Sequence, residues 1–232
     1  MAINRGMILA AGLGKRMLPL TNDLPKPLVI LGQKNLLERS IELLLKIGIN
    51  ELIINTHYLP QKIDNFLKTK NYGISINIIY EQELLDTGGG ILNATKKFEN
   101  NPFFVLNPDT IWNKNYYEEL KILENYYLEN NKPILLLVDK KISHDKSFTG
   151  DFNFEENKYI IRETINQYIF TGAQIINRSI FEGIKEKVFS MNLVWDNMMK
   201  KKKLLGQESS QTFFHVNNLK VYEQLNKIKF ID

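Results

Sequence analysis

Two rhythms of apolar and polar residues divide the chain. Short unbroken apolar runs, the pattern of strands covered on both faces, occupy residues 6–11, 51–55, 103–107 and 134–138. A β-branched run at 74–80 reads as another strand. Apolar residues at helical spacing mark helices over 36–47, 61–68 and 116–129, and a further helix is expected over 90–97, just after a glycine cluster. The first of these stops at Gly48, a residue suited to a left-handed helix cap. Strand and helix in alternation, joined by short loops, predict parallel βαβ units with helices on both sheet faces.

Beyond about residue 140 the pattern changes. Residues 150–154, 158–161 and 168–176 are short segments with polar turns between them, and they predict antiparallel excursions from the sheet's edge. A helix is expected over 194–205, closed by Gly206, then a strand over 212–216 and a helix over 219–227. No repeat, low-complexity tract or Pro/Gly/Ser-rich linker interrupts the chain. One domain over 1–232 is therefore expected, an α/β fold with a mostly parallel, Rossmann-like open sheet and a small antiparallel excursion. Ligands of such sheets sit beyond the carboxyl ends of the strands, so the loops after Ala11, Tyr80, Asn107 and Val216 should carry the site.

Composition narrows the chemistry. The 232 residues are 44% hydrophobic and 24% charged, the balance of a chain that buries a core. Without cysteine there is no disulfide scaffold, zinc ribbon, iron–sulfur cluster or thiol nucleophile. His57, His144 and His215 are too scattered for a polyhistidine centre, so any catalytic metal should be a hard cation on oxygen ligands. The net charge is +4, yet the one pure basic run, Lys200 to Lys203, reads as a solvated helix end rather than a nucleic-acid patch. No apolar stretch reaches the ~20 residues of a membrane span, and the N-terminus lacks a signal-peptide cleavage site. A cytoplasmic protein with no membrane or nucleic-acid partner is expected.

The densest chemistry follows the first strand: Leu9-Ala10-Ala11-Gly12-Leu13-Gly14-Lys15-Arg16-Met17, then Leu18-Pro19-Leu20-Thr21 and Leu24-Pro25-Lys26-Pro27-Leu28. Without β-carbons at Gly12 and Gly14, backbone N–H groups can close on a phosphate. Lys15 and Arg16 add cations at once, and Pro25 and Pro27 hold Lys26 on a stiff segment. The loop is not the Rossmann fingerprint, since Met17 stands where the third glycine belongs, and it lacks the Gly-Lys-Ser/Thr ending of a Walker A loop. A second cluster, Asp86-Thr87-Gly88-Gly89-Gly90, reads either as a hinge or as a ligand-approach site at a helix N-terminus. Asp109 reads either as a turn or cap residue or as a Mg²⁺ ligand, and the phosphate loop on a neighbouring strand favours the ligand.

These segments resemble the signature of the nucleoside-triphosphate sugar-1-phosphate nucleotidyltransferases: Leu-Ala-Ala-Gly-x-Gly-x-Arg-Met, Pro-Leu-Thr, Pro-Lys-Pro-Leu. Within that superfamily the chain is most similar to the short N-acetylmuramate-1-phosphate uridylyltransferases of cell-wall recycling. The likeness runs through Ile53-Ile54-Asn55-Thr56-His57-Tyr58, the block from Glu81 to Gly90, and Asn107-Pro108-Asp109-Thr110-Ile111-Trp112. Weaker echoes are Gly150-Asp151-Phe152 and Thr171-Gly172-Ala173. The resemblance implies a nucleotide-binding half over about 1–140 and a sugar-binding half over about 141–232. Leu9, Ala10, Ala11, Gly12, Gly14, Lys15, Arg16, Glu81, Thr87, Gly88, Asn107 and Asp109 would surround the nucleotide. Arg16 and Lys26 would be catalytic, and Lys26, Gly150, Asp151, Thr171 and Gly172 would meet the sugar phosphate.

The same resemblance implies Mg²⁺ on Asp109, and the chain departs from the family in two places there. Pro108 replaces the usual glycine, removing an N–H and fixing φ. The family's second metal-binding aspartate, on the last strand, is absent from Phe213-Phe214-His215-Val216-Asn217-Asn218; His215 or Asn217 is left in its place, the Val-Asn-Asn of related transferases favours Asn217, and His215 by itself reads as a packed or solvent-facing residue. The implied reaction moves a nucleoside monophosphate from an NTP, UTP by this likeness, onto N-acetylmuramate 1-phosphate, in a monomer or homodimer. A CTP-dependent enzyme acting on phosphocholine and a non-catalytic nucleotide-sugar sensor are the alternatives. The missing carboxylate favours the sensor; the retained Arg16, Lys26 and Asp109 favour the enzyme.

Overall fold

The computed structural model describes residues 2–228. β1 (Arg5–Ala10) leads through the glycine loop to the small hairpin of β2 (Ile30–Leu31) and β3 (Lys34–Asn35). α1 (Leu36–Ile47) starts where the Asn35 side chain accepts the Glu38 N–H at 2.7 Å and ends at Gly48, whose φ of 104° suits a residue without a β-carbon. Next come β4 (Glu51–Thr56), α2 (Pro60–Lys68) and β5 (Ser75–Tyr80). α3 (Asp86–Ala94), β6 (Phe103–Leu106), α4 (Tyr116–Asn130) and β7 (Ile134–Asp139) complete the alternating part. A second small hairpin, β8 (Asn153–Phe154) with β9 (Ile160–Ile161), precedes the long β10 (Tyr168–Ile176). α5 (Met191–Lys200), β11 (Leu205–Ser209) and α6 (Leu219–Leu225) close the described chain.

Seven strands form one sheet in the order β11-β7-β10-β6-β1-β4-β5. All neighbours are parallel except β10, which runs antiparallel to both β6 and β7. Successive side chains of the buried strands serve opposite faces. Ile8, Ile54, Phe104 and Leu136 pack with Ile41 and Leu44 of α1 and Leu120 and Leu123 of α4. Met7, Ile53, Val105 and Leu135 pack with Ile91 of α3 and Val194 and Trp195 of α5 on the other side. Both faces of β1 and β6 therefore exclude water, which is why these strands read as continuous apolar runs. Among the described residues no helix is long and apolar enough to cross a membrane.

Four expectations change. Residues 168–176 do form a strand, but it lies in the middle of the sheet rather than at its edge. α5 stops at Lys200, and residues 205–209 are an edge strand; Gly206 belongs to it, in a slot where a β-carbon would stand 2.6 Å from Ile160. α3 begins at Asp86, so the glycine cluster forms its first turns instead of preceding it. Residues 212–216 add no sheet strand; they pair by isolated bridges with Ser143 and Thr110.

Candidate active site

β1 and β6 lie side by side, so the loops that follow them, residues 11–17 and 107–112, open onto the same end of the sheet. A cavity of about 670 Å³ lies there, lined by Leu9 to Met17 on one side and by Asn107, Pro108 and Asp109 on another. Gly12 faces open space: a β-carbon there would meet nothing within 4 Å. Gly14 has φ 66° and sends its carbonyl back to the Met17 N–H (2.8 Å) and the Thr21 hydroxyl (2.9 Å). That turn exposes Lys15 and Arg16 at the mouth, where neither makes an ion pair among the described residues.

The loop is anchored from below by a buried polar chain. The Ala10 N–H donates to Asn55 Oδ1 (3.0 Å), and Asn55 Nδ2 donates to Glu81 Oε1 (2.7 Å). Glu81 Oε2 in turn accepts the Leu85 N–H at 3.2 Å. Three strand ends are thus tied together at the cavity floor, and the fully satisfied chain rigidifies the loop. Glu81 reaches the cavity wall as expected, but both carboxylate oxygens are already engaged. Asn55 is a site residue that spacing alone missed; a buried asparagine closing an apolar strand was its signal.

Lys26 opens a short helical turn behind Pro25, and its Nζ lies 2.6 Å from Asp109 Oδ2. On the other side His215 Nε2 lies 3.2 Å from Asp109 Oδ1. Backbone pairing makes this second contact: the Ile111 N–H donates to Phe214 O (2.9 Å) and the Val216 N–H to Asp109 O (2.7 Å), with Thr110 opposite His215. Burial raises the Asp109 pKa, but His215 and the Lys26 ammonium outweigh it and hold the carboxyl well below the ordinary carboxylate range. Oδ1 is buried and, although near the ring nitrogen, makes no hydrogen bond. His215 Nδ1 is likewise buried without a partner.

The two candidates for the second ligand now separate. Asn217 lines the large cavity, but its Nδ2 donates to Asp145 Oδ2 (2.8 Å) and its Oδ1 accepts from Asn218 (2.7 Å). His215 is the residue that touches Asp109. Asp145, which draws Asn217 aside, had no sequence signal beyond its place in a polar loop.

The glycine cluster does different work from that expected. The Gly88 and Gly89 N–H groups both donate to Phe189 O, at 2.9 and 3.0 Å. A β-carbon on Gly88 would stand 2.4 Å from the Phe189 ring, and one on Gly90 would stand 2.7 Å from Glu81 Oε1. The close approach is to the protein's own chain, so Gly88 lines neither this cavity nor its neighbour, while Asp86 and Thr87 stay on the wall.

A second cavity of about 170 Å³ has His215 in its wall, a residue that does not line the first. Two aromatic groups line it, Phe152 and Phe170 against Trp195, and Phe148 and Phe213 against His215. Asp151 and Arg162 also line it; Asp151 Oδ2 accepts the Phe170 N–H (2.9 Å) and Arg162 Nη1 donates to Asp196 (2.6 Å). Of the residues expected to meet the sugar phosphate, Lys26 and Asp151 line cavities. Gly150, Thr171 and Gly172 line neither: Gly150 (φ 91°) lies against the Asn166 carbonyl, Thr171 bonds Leu136 O at 2.8 Å, and Gly172 O accepts the Asn107 N–H at 2.8 Å. Trp112 is packing, 2% exposed and edge-on to Tyr116.

The family described as Nucleotidyl transferase matches residues 5–161, which include the glycine loop, Lys26 and Asp109. The N-acetylmuramate alpha-1-phosphate uridylyltransferase of Caulobacter vibrioides is 38% identical over 110 residues, 46% of each chain. A probable mannose-1-phosphate guanylyltransferase of Oryza sativa is 30% identical over 202 residues, 81% of this chain and 54% of the relative. The chain thus spans about half the length of these curated relatives. In fold it is similar to a UDP-glucose pyrophosphorylase solved with UDP-glucose (TM-score 0.80, 16% identity, 97% of each chain). It also resembles HddC from Yersinia pseudotuberculosis (TM-score 0.76, 25% identity, 98% of this chain and 99% of that one).

Proposed function

The chain belongs to the nucleotidyl transferase family, and on that premise we propose that it transfers a nucleoside monophosphate from a nucleoside triphosphate to a sugar 1-phosphate. An oxygen of the acceptor phosphate forms the new bond to the α-phosphorus, the α–β bridging bond breaks, and pyrophosphate leaves. The attacking oxygen is already anionic near neutral pH, so the work is positioning and charge neutralisation rather than proton removal.

The observation that carries this reading is the arrangement at the cavity wall: Lys26 lies against Asp109 opposite a glycine loop that exposes Arg16, and His215, from the wall of the second cavity, touches the same carboxylate. The 11–14 backbone and Arg16 hold the β- and γ-phosphates. Lys26 spans the α-phosphate and the incoming phosphate, oriented by Asp109. The unbonded, buried Asp109 Oδ1 beside His215 Nε2 fits a divalent cation. Such a cation, when bound, neutralises charge developing on the α-phosphate.

The acceptor's organic part extends into the second cavity beyond His215. Within this reading the substrates are UTP and N-acetylmuramate 1-phosphate, supported by the partial likeness to the Caulobacter enzyme. A second reading, transfer from CTP to phosphocholine, draws on the aromatic lining beside Asp151, which suits a quaternary ammonium.

One assay decides among them: pyrophosphate release with each NTP against a panel containing N-acetylmuramate 1-phosphate, mannose 1-phosphate, glucose 1-phosphate and phosphocholine. Release with UTP and N-acetylmuramate 1-phosphate is expected. Release only with phosphocholine establishes the second reading, and no release with any pair refutes both in favour of a nucleotide-sugar sensor.

A further inference from the structure

We propose that His215 makes the Asp109 site select a first-row transition-metal dication such as Mn²⁺ over Mg²⁺. The inference rests on the nucleotidyl-transfer reading only in expecting a divalent cation here. Lys26 occupies Asp109 Oδ2 at 2.6 Å, so the carboxylate offers a single oxygen, Oδ1. The second donor within reach is a ring nitrogen, 3.2 Å from that oxygen. Two adjacent ligands at right angles on an ion with bonds of about 2.1 Å lie roughly 3.0 Å apart, so this separation suits one coordination edge. The alternative hard oxygen donor, Asn217 Oδ1, is turned away to Asn218.

The protein therefore supplies one oxygen and one imidazole nitrogen. Mg²⁺ favours an all-oxygen octahedron and gives up water reluctantly; Mn²⁺ also suits oxygen donors but, as a first-row transition ion, tolerates one imidazole better than Mg²⁺ does, and Fe²⁺, Ni²⁺ and Zn²⁺ accept it more readily still. No further His or acidic side chain offsets this, since no group of three or more metal-ligating residues occurs among the described residues.

The test uses the whole chain and reads binding rather than turnover. Mn²⁺ is added to the protein with and without α,β-methylene-UTP, no acceptor being present. Free Mn²⁺ is followed by continuous-wave EPR while Mg²⁺ is titrated in, and the bound ion is examined by electron spin-echo modulation. Directly coordinated imidazole ¹⁴N is expected in the wild type. The Mg²⁺ excess needed to displace Mn²⁺ should fall by roughly tenfold or more in His215→Asp, which supplies a second carboxylate in place of the imidazole.

Absence of ¹⁴N coupling, failure to bind Mn²⁺ in either state, or equal displacement ratios in the two proteins overturns the proposal. The spin-echo experiment needs no variant, so misfolding of His215→Asp leaves the test decisive. Failure of the transfer reading shows instead as absent pyrophosphate release, with the nitrogen coupling intact.

Discussion

Replacing Lys26 by methionine keeps most of the side-chain volume and removes the ammonium that lies 2.6 Å from Asp109. The two side chains are 15% and 21% exposed, so the pair is mostly out of water and its loss is not screened away. Breaking a fully buried pair costs about 3–5 kcal/mol because one charge is stranded. Here His215 stays beside the carboxylate, so about 2 kcal/mol of stability should be lost, near the value of a hydrogen bond to a charged group. For a chain of this size that is a fall of roughly 4–8 °C in melting temperature. Turnover should fall further, by about 10²–10³-fold, since the ammonium stabilises charge on the reacting phosphates. Urea unfolding and pyrophosphate release measure the two quantities. The double variant Lys26→Met with Asp109→Asn removes the stranded charge and should regain about 1 kcal/mol over Lys26→Met alone, with no gain in turnover. A Lys26→Met protein within about 0.5 kcal/mol of wild type, or one needing no help from the second change, refutes the coupled-pair reasoning.

Three further outcomes are expected. Asp109 has a folded-state pKa held far below its ordinary value of 3.8, so its stabilisation is complete above that value and is lost progressively below it, as pH falls towards the folded-state pKa. The melting temperature should therefore drop between pH 5 and pH 2 less steeply in Asp109→Asn than in wild type, and parallel curves would remove Asp109 from the acid limb. Arg16→Ala should leave urea stability unchanged within about 0.5 kcal/mol, because the side chain is exposed, while turnover falls by about 10²-fold; near-wild-type turnover would take Arg16 out of the reaction. Gly88→Ala forces a β-carbon to 2.4 Å from the Phe189 ring and should cost about 1–3 kcal/mol, and an unchanged melting temperature would show that the 187–191 segment yields freely.

The parts of the fold that were legible in the sequence are those fixed by local pattern. β1, β4, β6 and β7 are buried on both faces, and burial of that kind writes an unbroken apolar run. The strand at 168–176 was legible as a strand but not in its place, because insertion between β6 and β7 is decided by pairing far along the chain. β11 was hidden for a different reason: Leu204 and Leu205 extend the apolar spacing of α5, while parallel pairing with β7, far back in the chain, makes 205–209 a strand, and the slot against Ile160 and Phe154 requires glycine at 206. At the site, Gly12, Arg16, Lys26 and Asp109 could be read because each breaks the local packing pattern. Gly88 and Gly172 carry the same kind of signal, a missing β-carbon, and the sequence does not distinguish approach by a ligand from approach by the chain itself.

Backbone pairing, not side chains, sets the place of residue 215. The ladder from Asp109 O to the Val216 N–H and from the Ile111 N–H to Phe214 O fixes the two backbones, and Thr110 Oγ1 ties the first of them to Thr171 O beneath. Any side chain at 215 is thereby delivered beside Asp109, whatever its donor atom. A substitution there changes the chemistry offered to a cation without moving the site, so His215→Asp should retain the wild-type fold while altering which ion binds. In this architecture the sheet, the satisfied chain through Asn55 and Glu81 and the backbone pairing of 109–111 with 214–216 determine where charge is placed, and residue 215 determines which donor atom stands beside Asp109.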